Sequence, residues 1–123
     1  MIIAVDFDGT LCADKYPSLG EPAVGAVKAM QELHKAGHYL IIWTCRTGDR
    51  LKDAVNWLLA NGIPFDRIND HNPENVAKYG EAGNKVYADI YIDDRNLGGF
   101  VGWFDALDMI IHGKQSISNY QKI

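Results

Sequence analysis

The sequence predicts an α/β fold, namely a three-layer α/β/α sandwich built around a central parallel sheet. Two observations support this prediction: three apolar runs end abruptly in polar residues at Asp6, Thr44 and Asp93, and stretches with helical periodicity separate them. Such alternation is typical of parallel strands joined by right-handed helical crossovers. The 123 residues suffice for one packed core, so residues 1–123 are expected to form a single domain.

Two amphipathic helices are expected in the first half of the chain. Pro22 should lie in the first turn of one helix, because proline is tolerated there, and Gly37 should end that helix. Its predicted buried face comprises Val24, Val27, Met30 and Leu33. The next helix should stop at Asn61-Gly62, and its apolar spacing is typical of a helix packed on a sheet. Its apolar residues are Leu51, Ala54, Val55, Leu58 and Leu59.

A short strand and two further helices are expected in the second half. The strand should lie within residues 65–68, and Asn72 before Pro73 predicts the N-cap of a helix that Gly80 and Gly83 close. The last helix should run from about residue 100 to 111. Its predicted inner face comprises Phe104, Leu107, Ile110 and Ile111. Beyond Gly113 the chain turns polar, and the candidates for docking there are Ile117 and Tyr120.

Carboxylate pairs follow the first and the last of the predicted strands. Asp6 and Asp8 face the same side of an extended chain, about 6–7 Å apart, and Asp93-Asp94 ends the later strand. A divalent cation would offset the repulsion, and hard oxygen ligands favour Mg²⁺ over zinc. The alternative for an isolated Asp-x-Asp is a solvated acidic turn. The second pair favours the metal site.

A third strand should end in Thr44, Cys45 and Arg46. Parallel strands present their carboxyl ends at one edge of a sheet, where ligands bind in open α/β folds. The two carboxylate pairs and this polar segment are therefore expected to converge at one site.

The order of these motifs resembles the haloacid dehalogenase superfamily of phosphohydrolases, whose fold is Rossmann-like. The first motif is Asp6-Phe7-Asp8-Gly9-Thr10-Leu11, the second is Thr44, and the fourth is Asp93-Asp94. The resemblance implies that Asp6 is the nucleophile, that Asp8 is the general acid and base, and that Mg²⁺ bridges phosphate and protein. The implied metal ligands are Asp6, the main-chain oxygen of Asp8, and Asp93 or Asp94.

The same resemblance suggests which groups bind phosphate. Thr44 would donate its hydroxyl, helped by the backbone amides of Cys45 and Gly9. Arg46 would bind the phosphate or another substrate anion, or else pair with a nearby acid. The lysine of the third motif is assigned to Lys85, although a straight strand would place it about 26 Å from the site. It can serve only if the segment from Lys85 to Ala88 folds back, and Lys78 is the alternative.

Composition narrows the function and the location. A net charge of −4 argues against a general nucleic-acid or anionic-membrane surface. The two cysteines, Cys12 and Cys45, have neither the spacing nor the number for a zinc site or disulfide framework, and we interpret both as reduced, packed thiols. No stretch approaches the roughly 20 apolar residues of a membrane span. We expect a cytoplasmic protein that acts on a phosphorylated substrate.

The short intervals between the motifs leave no room for the cap domain that larger members of this superfamily carry. An open site suits a large substrate or the end of a polymer, unless a neighbouring subunit of a homo-oligomer acts as the lid. The loop from Cys12 to Gly20, with Tyr16, is the expected substrate contact. The predicted activity is phosphomonoester hydrolysis. The alternatives are a catalytically weak phosphate- or nucleotide-binding module and a phosphotransferase of the same fold.

Overall fold

The computed structural model describes residues 1–113, in which four strands alternate with four helices. In chain order the elements are β1 (Ile2–Val5), α1 (Ala26–Lys35), β2 (Tyr39–Ile42), α2 (Gly48–Ala60), β3 (Arg67–Ile68), α3 (Pro73–Tyr79), β4 (Ile90–Ile92) and α4 (Trp103–Ile111). None of these helices is long and apolar enough to cross a membrane. Ile117 and Tyr120 lie outside the described residues.

All four strands form one parallel sheet in the order β3-β2-β1-β4. Val5, the last residue of β1, is in register with Ile42 of β2 on one side and Ile92 of β4 on the other. The predicted α/β fold with a central parallel sheet is therefore confirmed. Because β1 lies between β2 and β4, the residues that follow all three strands leave the sheet side by side.

The larger core lies on one face of the sheet. Ile3 and Val5 point to that face, and α1, α2 and α4 pack against it through residues such as Leu33, Leu58 and Trp103. Burial of these side chains is the main source of stability, at about 1.5–3 kcal/mol for each large one. Three of the four helices thus cover one face.

Ala4 of β1 and Ile41 of β2 point to the opposite face and are also buried. The segment before β4 covers this face, because the Tyr91 hydroxyl donates to Val86 O at 2.6 Å and accepts from Ala88 N at 3.1 Å. The helix α3 lies on the same side. Its residues line a shallow groove with Ile2 and Tyr39. The sheet is therefore the middle of three layers.

The first helix begins later than the sequence suggests. Pro22 lies in extended chain and bridges Cys12, while Ala13 N donates to Glu21 O and Ala23 N donates to Leu11 O, both at 2.9 Å. Gly25 then adopts φ 80° and α1 starts at Ala26. The prediction that Pro22 opens the helix is wrong, because a short antiparallel pairing uses the preceding residues.

Four residues predicted to be buried are exposed. Val24 precedes α1 and is 79% exposed, Leu59 lies on the outer side of α2, and Phe104 and Ile111 lie on the outer side of α4. Trp103 and Ala106 form the buried side of α4 instead. The helix α3 follows its prediction: the Asn72 side chain accepts from Asn75 N at 2.9 Å, and Gly80 ends the helix with φ 78°.

Candidate functional site

Three carboxylates meet at the carboxyl edge of the sheet. Asp6 follows β1, and its amide donates to Ile92 O of β4 at 2.9 Å. The backbone segments of β1 and β4 therefore stay hydrogen-bonded to each other as far as the site. Asp93 and Asp94 follow Ile92 directly. Each of the three aspartates offers a carboxylate oxygen, and these oxygens all lie within 4.8 Å of one another. The structure thus brings together the two acidic motifs that lie more than 80 residues apart in the chain.

Thr10 joins these carboxylates. Its hydroxyl donates to Asp6 Oδ2 at 3.0 Å, lies 3.4 Å from Asp94 Oδ1, and accepts from Asp94 N at 3.0 Å. The residue is 1% exposed, and Trp103 Nε1 donates to its main-chain oxygen at 2.8 Å. The sequence motifs predict no separate role for Thr10. Its place directly after the Asp6-Phe7-Asp8-Gly9 turn is the one local signal that points to it.

The surroundings of Asp6 raise the pKa of its carboxyl group. Burial is the largest cause, and the Asp93 charge and the hydrogen bond with Asp94 add to it. The hydrogen bond from Thr10 acts in the opposite direction, and the net result raises the pKa of Asp6 from 3.8 to about 7. Near neutral pH, ionised Asp6 therefore lies in an environment that disfavours its charge.

Gly9 makes the close approach of the two motifs feasible. Its φ is 83°, and a Cβ at this position would lie 2.9 Å from Asp94 Cγ, with a shorter contact to Asp94 Oδ2. Only glycine both adopts this positive φ without strain and leaves the space that the Asp94 carboxylate occupies. The Gly9 amide, however, donates to Cys12 O at 2.9 Å. It is engaged inside the turn, so the expectation that it binds phosphate is wrong for this conformation.

The carboxylate of Asp8 faces Arg46 and not the cluster of Asp6, Asp93 and Asp94. Arg46 Nε donates to Asp8 Oδ2 at 2.8 Å and Nη2 donates to Oδ1 at 2.7 Å, which is a bidentate ion pair. This hydrogen bond is the main reason that the pKa of Arg46 is raised above its usual value. Of the two roles open to Arg46, the structure shows the pair with a nearby acid. Asp8 thus occupies two of the donors that a phosphate would need.

Thr44 is held by Asn69, a residue that no sequence motif singles out. Thr44 N donates to Asn69 Oδ1 at 2.8 Å, and Asn69 Nδ2 donates to Thr44 O at 2.9 Å. Asn69 has φ 51°, a conformation that asparagine tolerates better than most residues. The Thr44 hydroxyl accepts from Arg46 N at 3.2 Å, so its own hydrogen remains available to a ligand.

The two cysteines differ in exposure. Cys12 is buried and Cys45 is exposed, and both are free thiols. The packing interpretation therefore holds for Cys12 and is wrong for Cys45, because the chain leaves the sheet after Thr44 and carries Cys45 to the surface beside the site.

The two candidate lysines lie in different parts of the molecule. Lys85 is exposed, and its Nζ lies 4.9 Å from the centre of the Tyr91 ring, because the chain before β4 folds back over Tyr91. The condition that its assignment required is thus met. Lys78 lines the groove that Met1 and Asp89 border, at the amino edge of the sheet. That edge is opposite to the carboxylates, which argues against Lys78.

The fold recurs in solved structures. A conserved protein from Bacteroides thetaiotaomicron matches with a TM-score of 0.84 and 39% sequence identity, over 93% of this chain and 92% of that chain. A crystal structure of a protein from Vibrio cholerae matches at TM-score 0.50 and 20% identity, over 91% of each chain, and shares the fold. No protein-family model and no curated protein matches the sequence. At 39% identity over nearly its full length, the chain belongs to the same family as the conserved Bacteroides protein.

Proposed function

We propose that this protein is a magnesium-dependent phosphomonoester hydrolase of the haloacid dehalogenase type, which acts through an aspartyl-phosphate on Asp6. The observation that supports this most is the convergence of Asp6, Asp93 and Asp94 within 4.8 Å at the ends of adjacent parallel strands. Asp8 lies two residues after Asp6, and Thr44 follows the neighbouring strand. A solvated acidic turn does not require this convergence, whereas phosphoryl transfer does.

The donor set fits Mg²⁺. The three residues offer only carboxylate oxygens, which are hard ligands, and no cysteine or histidine belongs to the group within the described residues. Burial, and after it the neighbouring Asp93 charge, raise the pKa of Asp6, and a cation at this point would relieve both effects. Asp6, Asp93 or Asp94, and the main-chain oxygen of Asp8 would hold the ion. Bound there, Mg²⁺ would neutralise the charge of the carboxylates and of the phosphoryl oxygens.

The proposed reaction divides one displacement into two. An Asp6 oxygen forms a bond to phosphorus while the bond to the ester oxygen breaks, and Asp8, protonated and turned from its ion pair with Arg46, gives its proton to the leaving alkoxide. Water then attacks the phosphorus of the aspartyl-phosphate, Asp8 takes a proton from it, and the Asp6–phosphorus bond breaks to release phosphate. Asp8 therefore ends in the protonation state in which it began.

Neighbouring groups would bind the phosphoryl oxygens. The free hydrogen of the Thr44 hydroxyl and the amide of the exposed Cys45 belong to the segment that follows β2, the strand next to the one that Asp6 follows. Lys85 would supply the positive charge of the third motif, and a preorganised charge of this kind acts on the developing negative charge. Lys85, which lies against Tyr91 of β4, is preferred because Lys78 lines the groove at the amino edge of the sheet, opposite to the carboxylates.

The substrate is proposed to be large, or to be enclosed by a second subunit. Between β1 and α1 the chain forms only loops and isolated bridges, with no helix or strand to cover the site. Residues 13–19 are exposed beside it, including Tyr16. A monomer that binds a small sugar phosphate with a low micromolar KM would contradict both forms of this proposal.

The test is hydrolysis of a panel of phosphate esters by the purified protein. Activity should require Mg²⁺, disappear with a chelator, and fall to background in Asp6→Asn, while Asp53→Asn on the exposed side of α2 should behave as wild type. Fluoroberyllate, an analogue of the acyl phosphate, should form its adduct on Asp6 alone. Full activity with excess chelator, or wild-type rates in Asp6→Asn, would refute the proposal.

A further inference from the structure

The indole of Trp103 makes a buried hydrogen bond to the turn that follows β1. Trp103 is 2% exposed, and its Nε1 donates to Thr10 O at 2.8 Å. A buried indole N–H requires an acceptor, because an unpaired one costs the desolvation of the group. This acceptor lies 93 positions away in the chain. The bond therefore fixes the start of α4 against the turn that directly follows Asp6.

The turn of residues 7–12 does not need Thr10 O for its own hydrogen bonds. Those bonds meet at Phe7 O, which accepts from Thr10 N at 3.2 Å and from Leu11 N at 3.0 Å. Thr10 O is thus left to Trp103. Because Thr10 is 1% exposed, removal of the indole N–H would leave this oxygen buried without that donor.

Thr10 also holds Asp94, at the other end of the loop that leads to Trp103. The Thr10 hydroxyl accepts from Asp94 N and donates to Asp6 Oδ2, both at 3.0 Å. The main chain from residue 94 to residue 103 therefore leaves the hydroxyl of Thr10 and returns to its carbonyl. One buried residue closes the loop and connects it to Asp6.

The middle of this loop is free to change conformation. Residues 95–99 are exposed and include two consecutive glycines with φ of 90° and 79°, and glycine has the largest conformational freedom of all residues. The loop regains packing at Phe100, whose ring lies edge-to-face on Trp103 with ring centres 5.2 Å apart. Because the middle of the loop is exposed, its two attachments to Thr10 fix its path.

We propose that Trp103 is a positioning residue for the proposed metal site: it fixes Thr10, and through Thr10 it holds the Asp6 and Asp94 segments together for Mg²⁺. This inference rests on the proposed function for the identity of the ion, and it adds a helix that lies outside the sequence motifs. Groups that orient metal ligands typically change metal affinity by about 10–100-fold when they are removed.

The first test measures Mg²⁺ binding by NMR titration, which needs no substrate. Trp103→Phe keeps an aromatic ring in the core and removes the indole N–H. We expect its Kd for Mg²⁺ to rise on the order of 10-fold. The matched control is Trp57→Phe, because Trp57 Nε1 also donates to a main-chain oxygen, that of Gly20 at 3.1 Å, and its Kd should equal that of wild type. An unchanged Kd in Trp103→Phe, or an equal rise in both variants, would overturn the proposal.

Amide hydrogen exchange separates positioning from a general loss of stability, and it needs no metal. In Trp103→Phe the Asp94 amide should exchange faster by a larger factor than the Trp43 amide, which donates to Val5 O at 2.8 Å within the sheet. Equal acceleration at both amides would indicate a merely structural role and would refute the proposal.

Variants of Thr10 show whether Trp103 acts through that residue. Thr10→Val keeps the shape and removes the hydroxyl, so it should raise the Kd for Mg²⁺ by itself. Adding Trp103→Phe should then raise the Kd little further, because the connection to Asp94 is already broken. Additive effects would contradict the proposal. If Trp103→Phe does not fold, β-(3-benzothienyl)alanine at position 103 carries the test, because sulfur replaces the N–H at nearly unchanged shape.

Hydrolysis enters none of these measurements, so the two proposals can fail separately. A wild type that binds Mg²⁺ but hydrolyses no ester would refute the proposed function alone. An unchanged Kd in the Trp103 variants would refute the positioning role alone, and a wild type that binds no Mg²⁺ would overturn both.

Discussion

Replacing Asp6 with asparagine should stabilise the metal-free protein at neutral pH. Asparagine has nearly the shape of aspartate, its oxygen can accept from Thr10 Oγ1, and its amide can donate to Asp94. It removes the charge that burial and the Asp93 carboxylate disfavour. The variant that should abolish catalysis is therefore expected to be the more stable protein, a trade-off that functional sites commonly show.

The magnitude follows from the pKa of Asp6, which rises from 3.8, the ordinary value for an aspartate side chain in water, to about 7 in the folded chain. That gap corresponds to about 4 kcal/mol at most, at about 1.4 kcal/mol for each tenfold change in proton affinity. Asp6 is partly exposed, so solvent screening reduces the value to roughly 2 kcal/mol. For a domain of this size, the melting temperature should rise by about 5–10 °C.

The direction with pH is set by proton binding. Between about pH 4 and 7 the folded wild type keeps a proton on Asp6 that the unfolded chain has released, so its stability falls as the pH rises. The advantage of Asp6→Asn should be complete above pH 7 and should vanish towards pH 4. Asp53→Asn removes one negative charge from an exposed position on α2 and should show no such trend.

The assay is thermal unfolding in chelator at several pH values, followed by the same series in Mg²⁺. Binding of the ion to the folded state alone stabilises it by about 2.7 kcal/mol at a concentration 100 times Kd. Magnesium should therefore raise the melting temperature of the wild type and much less that of Asp6→Asn. A metal-free Asp6→Asn variant that is less stable than the wild type at pH 7.5 would refute the reasoning.

Three further predictions concern the same site. Lys85→Ala should lower kcat on the order of 10²–10³-fold, the cost of one preorganised electrostatic contact, whereas Lys78→Ala should be nearly silent in the same assay; the opposite ranking would reassign the third motif. Gly9→Ala should abolish metal-induced stabilisation in a melting experiment, because its Cβ would displace the Asp94 carboxylate, and retained stabilisation would contradict this. Calcium should inhibit hydrolysis, because its looser coordination misplaces the nucleophile, and calcium-supported turnover at the magnesium rate would count against that reasoning.

The strand ends are predictable from sequence because two signals agree there. An apolar run that stops at Asp6, Thr44 or Asp93 marks both a buried strand and the residue that leaves it, and parallel pairing then places all three at one edge. The contacts that the side chains near these strand ends make are harder to predict. The pair between Asp8 and Arg46 joins positions 38 residues apart, and no local pattern states which acid a given arginine will meet.

The choice of which side of α4 is buried shows a different limit of prediction from sequence. Seven of its nine residues are apolar, so a stripe through Phe104 and one through Trp103 fit the helical period almost equally well. The structure selects Trp103, because its indole N–H reaches the main-chain oxygen of Thr10. A contact between residues 93 positions apart decides the orientation, and periodicity alone contains no such information.

The start of α1 differs from its prediction for a third reason. Pro22 fits the first turn of a helix and also fits an extended segment, since both have a similar φ. The pairing of residues 21–23 with residues 11–13 decides in favour of the extended form. The local preference of proline does not distinguish the two conformations.

Arg46 holds the loop of residues 13–20 by donating hydrogen bonds to the main-chain oxygens of Pro17 and Ser18, and every amino acid has such an oxygen. The exposed side chains of Lys15, Ser18 and Leu19 form none of these hydrogen bonds, whereas Asp14 Oδ1 accepts from Tyr16 N and helps to hold the loop backbone. This segment can therefore accumulate substitutions while its backbone keeps its place, so relatives can diverge here in what they recognise without rebuilding the scaffold. A combinatorial library confined to Lys15, Ser18 and Leu19 would vary the surface of the loop without altering the contacts that hold its backbone.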